Sequence, residues 1–108
     1  MSFDDALAER IRDLCAGDAT VTERRMFGGL AFLSSGRLFA GVIGRDLMLR
    51  AGDAALAQPH ARPMDFTGRP LSGLVFVGSE GYESDTDLSA WIALARRYVA
   101  ANPPRKRR

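Results

Sequence analysis

The chain has 108 residues, of which 46% are hydrophobic and 26% are charged, the composition of one ordinary globular domain. Its single cysteine, Cys15, excludes an intramolecular disulfide framework and favours a reducing compartment. No apolar run reaches the length of a membrane span, and the acidic start of the chain lacks the order of a signal peptide. We therefore expect a cytoplasmic protein.

The positive charge is concentrated at the C-terminus. The last four residues are Arg105, Lys106, Arg107 and Arg108. The whole chain carries +2, so residues 1–104 sum to 2 − 4 = −2. Two interpretations of this basic tail are open: it contacts nucleic-acid phosphates, or it is a solvated, disordered end that follows two prolines. The second is favoured, because a basic run by itself is not a binding site.

The first half of the chain predicts one helix followed by short strands. Residues 3–16 form an amphipathic helix in this prediction, because their apolar positions recur at helical spacing. Ser2 is its predicted N-cap and Gly17 its predicted end. Strand-like runs joined by tight turns follow, and they predict an antiparallel meander of three or four strands. The runs cover residues 21–27, 30–33, 38–43 and 47–50.

The second half is predicted to form a short helix, a long loop, one strand and a long helix. Asp53 caps the short helix in this prediction, and Pro59 prevents its extension. Apolar residues recur at spacings of three and four from about Ser84 or Thr86 onward, which predicts an amphipathic helix. The four predicted segments are residues 53–58, 59–72, 74–77 and 84–101.

The order of these elements predicts an α+β fold, α-β-β-β-α-β-α with one further strand allowed. Each terminal helix has one apolar side to bury, and an antiparallel sheet can offer one face for that purpose. We therefore expect a mostly antiparallel sheet covered on one face by the N- and C-terminal helices. The sequence shows no internal repeat and no interior linker.

Four segments, in this order, resemble the N-terminal domain of the TfoX/Sxy proteins, which are bacterial regulators of natural competence genes. They are residues 25–29 (RMFGG), 38–42 (LFAGV), 46–50 (DLMLR) and 62–66 (RPMDF). The resemblance implies an α+β domain similar to secretion chaperones, over residues 1–102, followed by the tail at 103–108. Full-length regulators carry a second, helical domain that this sequence lacks, so it resembles a stand-alone member.

The resemblance implies a regulatory role exerted by protein contact, with the cyclic-AMP receptor protein or another transcription factor as partner. It transfers no catalytic residue and no cofactor. A homodimer is one form that such contact takes, and nucleic-acid contact would be weak or indirect. Two other hypotheses stay open: a DNA-associated accessory protein that uses the basic tail, and a small enzyme or ligand binder centred on residues 59–70.

The residues that most often carry chemistry predict little here. His60 is the only histidine, and its place beside a proline predicts a solvent-facing loop residue rather than a catalytic one. Cys15 lies on the apolar side of the first helix, which predicts a buried small side chain. One cysteine and one histidine cannot form a tetrahedral zinc set. We expect no catalytic, metal or cofactor site, and no enzyme.

Candidate interaction residues lie in two segments: Arg25, Met26, Phe27, Gly28 and Gly29 in the first, and Arg62, Asp65 and Arg69 in the second. The glycines indicate a bulge or turn, or else the close approach of another backbone. Two interpretations of the second segment are open. Its arginines bind an anionic ligand or an acidic partner, or the segment is held in place internally, with Asp65 accepting hydrogen bonds from backbone N–H groups. Arg24 and Arg25 are adjacent, so on a strand they face opposite sides. Met26, Phe27, Phe32, Phe39 and Met48 are predicted to belong to the sheet core, although alternation over residues 39–43 is poor.

Overall fold

The computed structural model describes residues 4–26, 28–65 and 70–102; for Asp53, Met64, Asp65 and residues 70–72 it describes the backbone only. The helices are α1 (Asp5–Leu14) and α2 (Asp85–Ala101), with short 3₁₀ turns at Asp53–Ala57 and Ser79–Gly81. The strands are β1 (Val21–Met26), β2 (Gly29–Ser34), β3 (Arg37–Ile43), β4 (Asp46–Arg50), β5 (Ala61–Asp65) and β6 (Pro70–Val77). This is the predicted α+β fold.

The described strands form one antiparallel sheet in the order β1-β2-β3-β4-β6-β5. Strands β1 to β4 are the predicted meander. The loop prediction for residues 59–72 was wrong, because β5 and the start of β6 lie there. The edge position of β5 explains how it accommodates Pro63: an edge strand has a row of backbone groups without ladder partners, so a missing N–H is tolerated there.

Side chains cap both helices at their N-termini. The Asp4 carboxylate accepts hydrogen bonds from the backbone N–H of Ala6 at 2.9 Å and of Leu7 at 3.3 Å. The predicted cap of α1, Ser2, was therefore wrong, and Ser2 itself lies outside the described residues. The Ser84 hydroxyl accepts from the backbone N–H of Asp87 at 3.0 Å, which confirms the predicted start of α2.

The short helix also differs from its prediction. It is a 3₁₀ turn, and its N-cap is Gly52 rather than Asp53. Gly52 has φ +86°, and a Cβ added there would lie 2.6 Å from the Tyr98 ring. Glycine is needed at this position both for its backbone conformation and for the close approach of α2.

Both helices pack on the same face of the sheet, as predicted. Every second residue of the central strands points to this face, and those side chains join the helices in one buried cluster. Its largest fully buried members are Phe32, Phe39, Leu7, Ile11, Leu47, Leu49, Leu88, Val42, Val75 and Val77. No helix in the described ranges is long and apolar enough to cross a membrane.

A β-bulge explains the poor alternation over residues 39–43. Phe32 of β2 lies opposite Ala40 of β3, but the next residue, Leu33, lies opposite Leu38. Phe39 is thus the extra residue, and it joins Ala40 in the cluster beneath the helices. The predicted core positions Phe32, Phe39 and Met48 are buried, whereas Phe27 lies outside the described residues.

Candidate protein-interaction surface

A row of directly paired residues crosses the face of the sheet opposite the helices. In strand order it consists of Arg24, Ala31, Gly41, Met48, Phe76 and Arg62. Directly opposed residues point to the same face, so this row has an arginine at each edge and apolar or small residues between them. We call this face, with Leu38, Ile43 and Leu74 beside the row, the open face. Among the described residues, the cluster around Met48 and Leu74 contains none from a helix.

Gly41 allows Met48 to lie flat at the centre of the open face. A Cβ added at Gly41 would lie 2.6 Å from the Met48 methyl carbon, so the Met48 side chain occupies the space that a larger residue would fill. Met48 is 1% exposed, whereas Leu38, Ile43 and Phe76 around it are partly exposed. The accessible apolar area of this face therefore surrounds a packed centre.

Positive charge predominates around this apolar area. The Arg62 guanidinium lies over the Phe76 ring, 5.1 Å from the ring centroid, and donates to the Asp46 carboxylate at 2.7 Å. Arg24 ends the row at the opposite edge, and Arg50 lies opposite Leu74. Three arginines thus share the open face with one carboxylate among the side chains described there.

The structure separates the two predicted interaction segments. Arg25 lies opposite Leu30, whose side chain is in the cluster beneath the helices, while Arg24 is on the open face; the two arginines face opposite sides, as predicted. Arg62 is on β5, at the other edge of the sheet, with four strands between β5 and β1. Residues of the first segment and Arg62 therefore do not converge on one small site.

The paired glycines have different functions in the hairpin between β1 and β2. Gly28 has φ +76° and forms the turn. Gly29 lies so close to β3 that a Cβ added there would be 2.1 Å from the Val42 carbonyl oxygen. The turn interpretation holds at Gly28, and the close approach at Gly29 is an internal packing contact, because the approaching backbone is this chain's own.

Several candidates lie beyond what the structure describes. Phe27, Arg69 and the tail residues Arg105, Lys106, Arg107 and Arg108 are outside the described residues, and the Asp65 side chain is not described. The half-buried Met26 lies opposite Gly29 at the end of the hairpin. Of the predicted interaction residues, Arg62 is the one that the structure places on the open face with defined side-chain contacts.

The only cysteine and the only histidine lie in different surroundings. Cys15 is buried in the cluster beneath the helices, as predicted, and burial raises the pKa of its thiol, which favours the protonated form. His60 is exposed, as predicted, but it borders a cleft of about 350 Å³. Among the described residues no group of His, Cys, Asp and Glu side chains could hold a metal ion.

We call this cleft the α2 cleft. Residues 58–60 form one wall, and the other is the side of α2 that carries Asp87, Trp91 and Arg97. The sequence predicts an isolated loop position for His60 and does not connect it with this helix. The spacing of three and four residues from Asp87 to Arg97 predicts that these side chains share one side of the helix. Only the tertiary contacts bring that side of the helix next to His60.

Over the described residues, the fold defines an α+β domain in which helices cover one side of a single antiparallel sheet and no helix covers the other. The sequence profile described as the TfoX N-terminal domain matches residues 13–98. The chain therefore belongs to the TfoX N-terminal domain family, which confirms the resemblance described above, and it is a competence-regulator-like domain at the family level. No curated protein and no solved structure matches the chain.

Proposed function

We propose that this domain is a non-catalytic regulatory module that binds a partner protein through the open face. The observation that carries the proposal is the combination on that face of partly exposed apolar side chains with arginines at both edges. Apolar contact provides binding free energy, and charge complementarity selects the partner. The complementary surface has an apolar centre and acidic residues around it.

A transcription factor is the class of partner that we propose, with the cyclic-AMP receptor protein as the first candidate in a bacterial cytoplasm. This choice rests on family membership rather than on a contact in the structure. A homodimer is the other arrangement. Pairing of two open faces would bring Arg24, Arg50 and Arg62 of both copies together, and like charges at an interface oppose association. We therefore favour a different protein as the partner.

The test is a titration of labelled promoter DNA with the pure chain, with and without the cyclic-AMP receptor protein, at physiological salt. We expect a further mobility shift only when the receptor protein is present. Two variants probe the open face: Arg62→Glu reverses an exposed charge, and Ile43→Glu places a charge in the apolar area. Each should weaken the shift at least tenfold. Arg62→Glu removes a charge-assisted contact, which is worth about 1.5–3 kcal/mol, and Ile43→Glu places an unpaired charge in an apolar interface.

The matched control is Leu14→Glu, which places the same charge on an apolar side chain at the end of α1, 41% exposed and outside the open face. It should bind like the unchanged chain. An absent shift with the unchanged chain would refute the receptor protein as partner. Equal shifts for Arg62→Glu, Ile43→Glu and Leu14→Glu would refute the open face as the binding surface.

A further inference from the structure

The α2 cleft combines an aromatic residue, an aliphatic residue and opposite charges along one side of a helix. Asp87 is in the first turn of α2, and Arg97 lies ten residues further along; Trp91 and Leu94 lie between them. At about 1.5 Å per residue, the two charged positions are separated by about 15 Å along the axis. The cleft therefore has an acidic end, an apolar middle and a basic end.

The facing wall runs beside α2 in the opposite direction. Gly52 approaches the Tyr98 ring near the C-terminal end of the helix, whereas His60 packs against Gly81. The Gly81 carbonyl in turn accepts a hydrogen bond from the Trp91 indole N–H at 3.0 Å. Residues 52–60 thus pass from the basic half of the helix toward its acidic half, and the last three of them, residues 58–60, line the cleft.

His60 is held in an unusual backbone conformation at this wall. Its φ is +71°, and it follows Pro59 in a turn closed by a hydrogen bond from the Ala61 N–H to the Gln58 carbonyl at 3.3 Å. A turn with proline second and a positive φ third ordinarily takes glycine at the third position. Non-glycine residues in such strained conformations concentrate at functional sites, so the presence of His60 here points to a use for its side chain.

The charged side chains of the cleft are available to a ligand. Within the described part of the chain, the ion pairs involve neither Asp87 nor Arg97. Both residues are exposed, as is His60. The cleft thus presents three polar side chains around an apolar middle, which is the usual composition of a binding site.

We propose that the α2 cleft binds a short extended peptide with a basic residue at one end, apolar residues in the middle and an acidic residue at the other end. The basic residue lies beside Asp87, and the acidic residue lies beside Arg97. An extended chain advances about 3.3 Å per residue, so about 15 Å accommodates four or five residues. The proposal does not rest on the open face, which is on the other side of the sheet.

The chain's only tryptophan and only histidine both border the cleft, so each reports on it without labelling. The probe is the peptide Lys-Ala-Leu-Ala-Glu with acetyl and amide ends, titrated into the pure chain. Alternate side chains of an extended peptide face the same side, so its lysine, leucine and glutamate can all face the cleft. We expect saturable changes in Trp91 fluorescence and in the nuclear magnetic resonance signals of the Trp91 indole N–H and the His60 ring. A peptide with lysine at both ends and the same middle should bind at least tenfold more weakly.

Charge reversal tests the proposed order of charges. Arg97→Glu should weaken binding of the lysine–glutamate peptide at least tenfold and strengthen binding of the dilysine peptide by about tenfold. That gain also shows that the variant is folded. Arg45→Glu is the matched control: it makes the same substitution at an exposed arginine in the turn between β3 and β4, outside both the open face and the lining of the cleft, and it should leave both affinities unchanged.

Three outcomes would overturn the proposal. The first is the absence of a saturable change at Trp91 with the lysine–glutamate peptide. The second is equal affinity of the unchanged chain for both peptides, which would indicate apolar adhesion without recognition of charge. The third is an equal effect of Arg97→Glu and Arg45→Glu, which would indicate a response to net charge alone.

Discussion

At the scale of single residues, several positions are fixed by the lack of space rather than by a chemical role. Gly29 and Gly41 lie against neighbouring strands, and a Cβ at either would meet backbone or side-chain atoms closer than 3 Å. Their neighbours in the sheet can approach only because no side chain is present. His60 is the opposite case, since glycine would suit its backbone better than the residue that is there.

We expect His60→Gly to stabilise the fold. A left-handed backbone conformation costs a residue with a Cβ about 1–2 kcal/mol, and glycine avoids that cost. Part of the gain is lost to the larger freedom of glycine in the unfolded chain, so the free energy of unfolding should rise by about 0.5–1 kcal/mol. Urea denaturation followed by circular dichroism measures this change.

His60→Ala is the matched control for that measurement, because it removes the imidazole but keeps the Cβ. It should not raise the free energy of unfolding. An equal rise in both variants would attribute the effect to the loss of the ring rather than to the backbone. If the α2 cleft binds a peptide as proposed, the more stable His60→Gly variant has lost a ligand-facing side chain, which would be a trade of function for stability.

At the scale of elements, charged side chains connect the helices to the rest of the fold. Arg12 of α1 donates to Glu23 of β1 at 2.7 Å and 2.9 Å, and this contact lowers the pKa of the Glu23 carboxyl. Asp18, in the connection between α1 and β1, pairs with Arg96 of α2. The segment that follows α1 is thus joined to α2 by an ion pair as well as by the shared core.

The Asp18 contact predicts a specific dependence of stability on pH. Hydrogen bonds from the Thr20 hydroxyl at 2.6 Å and from Arg96 lower the pKa of the Asp18 carboxyl to about 2. A carboxyl whose pKa is lower in the folded state stabilises the fold above its unfolded pKa, near 4, and this contribution is lost as the pH falls toward 2. Acid should therefore weaken the fold across that range.

We expect Asp18→Asn to unfold at a lower urea concentration than the unchanged chain at pH 6, and the difference to shrink as the pH approaches 2. Urea midpoints at pH 6, 4, 3 and 2 measure this. Asp13→Asn, the same substitution at an exposed residue of α1, is the control for the loss of one side-chain charge. A difference for Asp18→Asn that stays constant from pH 6 to pH 2 would contradict the assignment of the low pKa to this contact.

At the scale of the whole molecule, the two proposed binding surfaces lie on opposite sides of one sheet. The open face has strands β1 to β6 as its floor, and the α2 cleft lies among the elements that cover the other face. Contacts on one side therefore leave the other side accessible. If both surfaces bind as proposed, their two ligands do not compete for the same side of the sheet.

The basic tail gives a prediction about nucleic acid. It supplies four positive charges, and without it residues 1–104 carry −2. If the tail alone contacts duplex DNA, the slope of log affinity against log salt concentration should be no steeper than about −3.6, since each phosphate contact contributes about −0.9. Deletion of residues 105–108 should abolish the binding. Fluorescence anisotropy at several salt concentrations measures both, and a steeper slope or binding by the shortened chain would assign DNA contact to the body.

The sequence by itself determined the elements whose pattern is local. Helical spacing predicted α1 and α2, strand-like runs between turn signals predicted β1 to β4, and four short segments predicted the family. Local pattern failed at β5, where Arg62 and Pro63 are typical of a loop, since an edge strand needs fewer ladder hydrogen bonds and tolerates proline. It failed again at Phe39, where a bulge interrupts the alternation.

Only the tertiary structure decided which distant residues meet. The row from Arg24 to Arg62 exists because five strand pairings set a common register, and no single strand contains that information. The α2 cleft likewise depends on Gly81, whose missing side chain allows His60 to approach. Side-chain pattern along a chain reports burial, whereas a binding surface depends on contacts between segments far apart in sequence.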